Sequence, residues 1–174
     1  RFVVCEDQEQ VDKVLSVADR LPGVAHVIYE DPRGLRNYDH TTLHPYPEVQ
    51  EMGRKAEAEH GPTMDARIAR GQGSDICVML YTSGTTGRPK GVVLSHDNVL
   101  VTARAAGEFD GLTETDSMLA YLPMAWVGDF IFSMGQAHVF GMCVACPESP
   151  ETMQADLKEI GPTYFFAPPR IFET

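Results

Sequence analysis

The sequence predicts an α/β fold of layered, mostly parallel sheets with flanking helices. Short apolar runs rich in β-branched residues recur along the chain, as at residues 2–5, 25–29, 76–80, 91–94 and 142–146. Segments with apolar residues at helical spacing lie between most of them. No repeat or low-complexity tract interrupts the alternation, which favours helices packed on sheets over a bundle or a sandwich.

Taken in order, residues 2–5 read as a strand. Asp7 then stands three residues before Gln10, a capping-box-like pairing at a helix start. Val11, Val14, Leu15 and Ala18 keep one face, and Pro22-Gly23 ends that helix. Residues 25–29 form the next strand, so the opening is a β-α-β unit and its strands are parallel. From Asp31 to Pro47 the abundance of Pro, Asp, His and Thr predicts an extended surface loop. Two short polar helices, at about 48–60 and 64–70, follow it. Gly71-Gln72-Gly73-Ser74 is a flexible lead into the next strand, and residues 71–74 are the candidate subdomain seam.

After the strand pair at 76–80 and 91–94, Ser95 or Asp97 caps a helix carrying Val99, Leu100, Ala103 and Ala106. Residues 117–122 form a strand ending at Pro123. A strongly apolar helix at about 128–140 leads into a strand at 142–146. Ser149-Pro150-Glu151 opens a helix faced by Met153, Leu157 and Ile160 and stopped by Gly161-Pro162. Residues 163–167 are the last strand.

The formal charge of −11 argues against nucleic acid or an anionic membrane as partner. No apolar run approaches the roughly 20 residues a spanning helix needs, which is consistent with a cytoplasmic protein that touches membranes at most peripherally. Cys5, Cys77, Cys143 and Cys146 all fall in apolar runs and read as small core hydrophobes. Cys143 and Cys146 have redox or metal spacing but lack a second pair or a nearby His cluster.

The chemistry concentrates in Tyr81-Thr82-Ser83-Gly84-Thr85-Thr86-Gly87-Arg88-Pro89-Lys90-Gly91. Small hydroxyl donors, glycines and two cations follow a buried strand directly. Such a loop suits a polyphosphate: glycines admit close backbone N–H approach, hydroxyls donate hydrogen bonds and Lys90 supplies a point charge. A plain polar hairpin turn would not explain why the polar side chains are small donors. The spacing excludes the nucleotide-triphosphatase loop, since Pro89 stands where its second glycine belongs and Gly91-Val92 follows Lys90. No G-x-G-x-x-G dinucleotide fingerprint is present here either.

The segment from Tyr81 to Gly91 resembles, without a mismatch, the signature [YF]-T-[ST]-G-[TS]-T-G-x-P-K-G of the adenylate-forming, AMP-binding enzymes. Those include acyl-CoA synthetases, luciferases and peptide-synthetase adenylation domains. Gly91-Val92-Val93-Leu94-Ser95-His96-Asp97-Asn98 and Tyr121-Leu122-Pro123-Met124-Ala125-Trp126 resemble the family segments that follow. Phe166-Ala167-Pro168-Pro169-Arg170-Ile171-Phe172-Glu173 is similar to a long-chain acyl-CoA synthetase element, and Ile28-Tyr29-Glu30-Asp31-Pro32-Arg33-Gly34-Leu35 to the bacterial long-chain branch.

The resemblance implies a piece, residues 1–174, of the large N-terminal domain of a longer ligase whose C-terminal domain is absent. It implies activation of a long-chain fatty acid with ATP and Mg²⁺ to an acyl-adenylate, then transfer to coenzyme A. Thr82, Ser83, Thr85 and Thr86 would donate to the phosphates, and Gly84 and Gly87 would let the backbone wrap them. Lys90 would stand by the leaving pyrophosphate as the catalytic cation, and Thr82 would lie near Mg²⁺. Trp126 and Phe130 would line or gate the acyl pocket, while Trp126, where relatives often carry His, weakens any acid–base role there. The adenine-side segment, the ribose-binding Asp and the C-terminal Lys would lie beyond Thr174, so this chain alone would not complete a turnover. Homodimerisation is common in the family's large domains.

Two other functions compete: adenylation of an aryl, amino or short acyl acid, and a non-catalytic nucleotide-binding module. His96 reads as a helix-start packing residue and His138 as a satisfied core histidine. Nothing in the sequence places Asp116 and Asp129 together.

Overall fold

The computed structural model describes residues 1–83 and 87–172, with Arg170 described by its backbone only. The chain divides into two compact units, Arg1–Arg70 and Gly71–Thr174.

The first unit contains β1 (Phe2–Cys5), α1 (Gln8–Leu15), β2 (His26–Tyr29), β3 (Leu43–Pro45) and α2 (Tyr46–Ile68). The three strands pair in the order β1-β2-β3, all parallel, with Phe2 opposite His26 and Val27 opposite Leu43. Asp7 caps α1 by accepting the Gln10 N–H at 3.0 Å. That cap turns Val11 inward onto Cys5, Val27, Tyr29, Leu35 and Leu43, the core of this unit. β3 lies inside the stretch expected to be wholly loop. Three residues carry no periodicity to read, and pairing with β2 alone makes them a strand. The two expected polar helices are one helix, α2, which continues through Pro62 and buries no residue. A proline removes one i→i−4 bond, but strong helix formers further out on both sides carry the helix past it.

The second unit opens with an antiparallel hairpin, β4 (Ile76–Thr82) and β5 (Lys90–Ser95). Both strands were expected; their antiparallel pairing departs from the mostly parallel pattern. Ser95 caps α3 (His96–Asp110) through a reciprocal box with Asn98. β6 (Ser117–Leu119) pairs parallel with β7 (Cys143–Ala145). β6 is half the expected length because its partner stops before Pro147.

The apolar helix expected near 128–140 is present in three registers: α4 (Val127–Asp129), a π segment (Phe130–Gly135) and α5 (Gln136–Phe140). α6 (Met153–Ile160) and α7 (Pro169–Phe172) follow. The expected strand at 163–167 is reduced to one bridge, Tyr164 to Met118. The Thr163 hydroxyl takes the Ser117 N–H at 2.9 Å, so a side chain occupies the donor a longer ladder would need.

Cys143 and Cys146 are exposed rather than core residues. A three-residue strand cannot cover its own outer face. His138 is also exposed, not core, although its Nδ1 meets the Met134 carbonyl at 2.7 Å.

Candidate functional site

The β4–β5 hairpin defines the site. Leu80 and Thr82 share one face of β4 by strand alternation, and Val92 and Leu94 share the same face of β5. All four line a cleft of about 580 Å³ closed on its other side by residues 125–128 and Phe166. Ser83 extends this wall just past the strand end. Thr82 is paired directly with Lys90 across the hairpin. Directly opposed residues present their side chains on one face, so Lys90 stands on the cleft side at the loop end of the hairpin. The glycine-rich connection therefore does join two antiparallel strands, as a hairpin turn would.

Thr82, Ser83 and Lys90 are exposed and available to a ligand. Gly87 has φ +75, and a Cβ there would meet nothing within 4 Å. Backbone conformation, not space, thus makes this position suit glycine. Gly84, Thr85 and Thr86 lie outside the described residues. The described part of the loop offers hydroxyl donors and a cation above an apolar trough. That arrangement can bind an anionic head and a hydrocarbon or aromatic body together.

Trp126 lines the cleft and is 53% exposed, with its backbone N–H donated to the Pro123 carbonyl at 2.8 Å. Phe130 does not join it. Phe130 lines a separate apolar cavity of about 340 Å³ with Val99, Leu100, Met134, His96 and His138. Trp126 is the extended N-cap residue before α4 and Phe130 lies within the helical run, so the i, i+4 face-sharing of a continuous helix does not apply and the two line different cavities. The sequence reading did not find Leu80, Val92 and Leu94 as cleft residues, although their two-residue alternation with Thr82 and Lys90 was available. Phe166 entered that reading only as part of a family segment.

Asp129, which the sequence does not place with Asp116, is 1% exposed. Asp129 Oδ1 has no hydrogen-bond partner. Its Oδ2 is approached only at 3.4 Å by the Ser133 hydroxyl, which donates to the Asp129 carbonyl at 2.5 Å. Burial pushes this carboxyl above the usual range, against a smaller lowering by Ser133. Asp116 behaves oppositely: hydrogen bonds from Thr163 and then Thr113 hold its carboxyl below the usual range. Each acid is committed to its own surroundings, and the two form no pair. Among the described residues no group of three or more His, Cys, Asp or Glu side chains is arranged to hold a metal.

The AMP-binding enzyme family matches residues 1–174, and the chain belongs to that family. It is 32% identical over 179 residues to the long-chain-fatty-acid–CoA ligase ACSBG1 of Rattus norvegicus, covering 98% of this chain and 24% of that protein. It is 31% identical to ACSBG2 of Xenopus laevis, over 99% of this chain and 24% of that ligase. The chain thus spans about a quarter of the length of these relatives.

Among solved structures it resembles the inhibitor-bound N-terminal domain of FACL13 from Mycobacterium tuberculosis. The TM-score is 0.66 and the identity 22%, over 99% of this chain and 44% of that one. It also resembles the o-succinylbenzoate–CoA synthetase of Bacillus subtilis solved with ATP and magnesium. There the TM-score is 0.57 and the identity 17%, over 94% and 42% of the two chains. The α/β fold is that of the N-terminal domain of adenylate-forming enzymes. No described helix is long and apolar enough to cross a membrane.

Proposed function

We propose that residues 1–174 are the phosphate-loop portion of the large domain of an ATP-dependent long-chain fatty acid–CoA ligase. The observation that carries this is the Thr82–Lys90 pair, with Ser83 beside it, at the mouth of an apolar cleft. The named relatives are long-chain-fatty-acid–CoA ligases.

In this function a fatty acid carboxylate attacks the α-phosphorus of ATP, pyrophosphate leaves, and the thiol of coenzyme A then displaces AMP. Thr82 and Ser83, with Gly84, Thr85, Thr86 and Gly87, hold the β- and γ-phosphates. Lys90 offsets the negative charge that builds on the departing pyrophosphate. Mg²⁺ neutralises phosphate charge when bound. It commonly keeps several waters and takes few protein ligands, which fits a site offering the Thr82 hydroxyl and no gathered carboxylates. The cleft wall at Leu80, Val92, Leu94, Trp126 and Phe166 receives apolar parts of the substrates. The same proposal includes a homodimer acting on small molecules in the cytoplasm, at most peripheral to membranes.

Acid-dependent ATP–pyrophosphate exchange, measured on the full-length protein, tests this. Palmitate should support exchange, and Lys90→Ala should reduce it by about 100-fold or more while leaving thermal unfolding unchanged, since Lys90 is exposed. Exchange with an aryl or amino acid but not with palmitate would move the substrate to that class. No exchange with any acid, in a protein that binds Mg-ATP, would leave the non-catalytic module.

A further inference from the structure

The segment that walls the cleft, residues 125–128, is bracketed by two buried polar groups that lack partners. Tyr121 lies before it, with its ring stacked on Phe165 at 5.6 Å between centroids and its hydroxyl buried and unbonded. Asp129 lies after it, with Oδ1 buried and unbonded. Burial, and after it the Asp129 charge, raises the Tyr121 phenol. Buried polar atoms in native proteins are nearly always hydrogen-bonded. Here a donor and an acceptor, both unused, stand at the two ends of one wall.

The wall itself is lightly held. Trp126 and Val127 are exposed, and half-buried Gly128 sits close enough to Phe166 that a Cβ would meet that ring at 3.3 Å. Ser133 spends its proton on the Asp129 carbonyl, which leaves the carboxyl free for another donor.

We propose that the Tyr121 hydroxyl donates to Asp129 Oδ1 when the cleft is filled, drawing residues 125–128 and Trp126 onto the bound acid. Tyr121 and Asp129 are then positioning residues: they touch no reacting atom and act through the wall between them. No proton is transferred; the phenol keeps its proton and the carboxyl supplies only an acceptor. The proposal rests on the ligase function above.

The test is steady-state kinetics of the full-length enzyme with Tyr121→Phe, Asp129→Leu, Asp129→Asn and the double variant Tyr121→Phe/Asp129→Leu. Loss of one hydrogen bond made around the bound acid should raise its KM by about tenfold, with kcat and the KM for Mg-ATP little changed. That outcome is expected for Tyr121→Phe and Asp129→Leu. Asp129→Asn keeps an acceptor oxygen and should stay within about twofold of wild type. The double variant should be no worse than the worse single one, because both remove the same bond.

The proposal is overturned if Asn damages as much as Leu, if Tyr121→Phe is silent, or if the two losses multiply. Should Asp129→Leu fail to fold, Tyr121→Phe and Asp129→Asn still decide it. Wild-type enzyme without acid-dependent exchange would instead remove the ligase function, and the wall closure with it. A wild-type KM for the acid in every variant, with exchange intact, removes only the closure.

Discussion

The two units handle buried polarity in different ways. In the first, Cys5, Val11, Val27, Tyr29, Leu35 and Leu43 make an apolar core against a parallel sheet. None of its buried side-chain nitrogen or oxygen atoms lacks a hydrogen-bond partner. In the second, Asp129, Ser133 and Gln136 are buried within one helical run, and Tyr121, Asp129, Gln136 and Asp156 all carry unbonded buried atoms. The second unit is also the one with the donor-rich loop and the 580 Å³ cleft. Unpaired buried polar groups cost stability, so they persist where something other than stability maintains them. The first unit is built as scaffold, and the second carries the strain of a site.

Removing core from the scaffold should give the largest stability effect. Leu35 is 1% exposed and packs in the apolar core of the first unit. Leu35→Ala should lower stability by about 2–5 kcal/mol, since a lost side chain leaves a cavity as well as unburied carbon. Chemical denaturation followed by circular dichroism measures this. A loss below about 1 kcal/mol would mean that the core collapses into the gap, and the contrast between a rigid scaffold and a strained site would weaken.

In the second unit a smaller change tests packing against propensity. Gly107 lies inside α3, where alanine ordinarily stabilises a helix by about 1 kcal/mol. A Cβ there, however, would stand 2.2 Å from the Phe140 ring. Overpacking typically costs about 1–3 kcal/mol, so Gly107→Ala should be net destabilising. Adding Phe140→Leu should recover part of the loss. If Gly107→Ala alone stabilises, the Phe140 ring moves aside freely, and this part of the second unit is looser than its packing implies.

The sequence made local features legible and long-range ones not. Asp7 and Ser95 announced their helices because a cap is satisfied within three residues. The loop and its flanking strands were readable from composition and alternation. β3 was not, because its three residues become a strand only by pairing with β2. The helix across Pro62 was misjudged because Gly61-Pro62-Thr63 signals a break while the helix formers further out, at 54–59 and 64–67, carry the helix through.

Trp126 and Phe130 were assigned to one pocket, yet they line different cavities. The π register was invisible, and the Ser133 hydroxyl that occupies the Asp129 carbonyl is the local feature that goes with it. A signal for Asp129 did exist: Asp129, Ser133 and Gln136 at i, i+4 and i+7 form a polar stripe in an otherwise apolar run.

The subtlest difference between strained and settled polar groups is the pH dependence of stability, because Asp129 and Asp116 have opposite signs. Burial raises the Asp129 carboxyl in the fold, so the folded chain holds this proton more tightly than the unfolded one. Its contribution is complete below the unfolded pKa of about 3.9 and is lost as pH rises through the folded value. Asp116 is lowered, first by the Thr163 hydroxyl, so its contribution is present above about 3.9 and is lost as pH falls.

Asp129→Asn removes a titrating group, and its stability relative to wild type should therefore improve steadily as pH is raised from about 4 to 7. Thr163→Val removes the bond Asp116 receives at 2.8 Å. This variant should be weaker than wild type throughout, because the Ser117 N–H also loses its acceptor, but the gap should narrow in acid, where Asp116 is protonated in both. Melting temperatures from about pH 2 to 7 read both slopes. Parallel curves for Asp129→Asn and wild type would mean that Asp129 is not held out of water in solution. The buried, unbonded carboxyl that distinguishes the second unit from the first would then be lost as a physical difference between them.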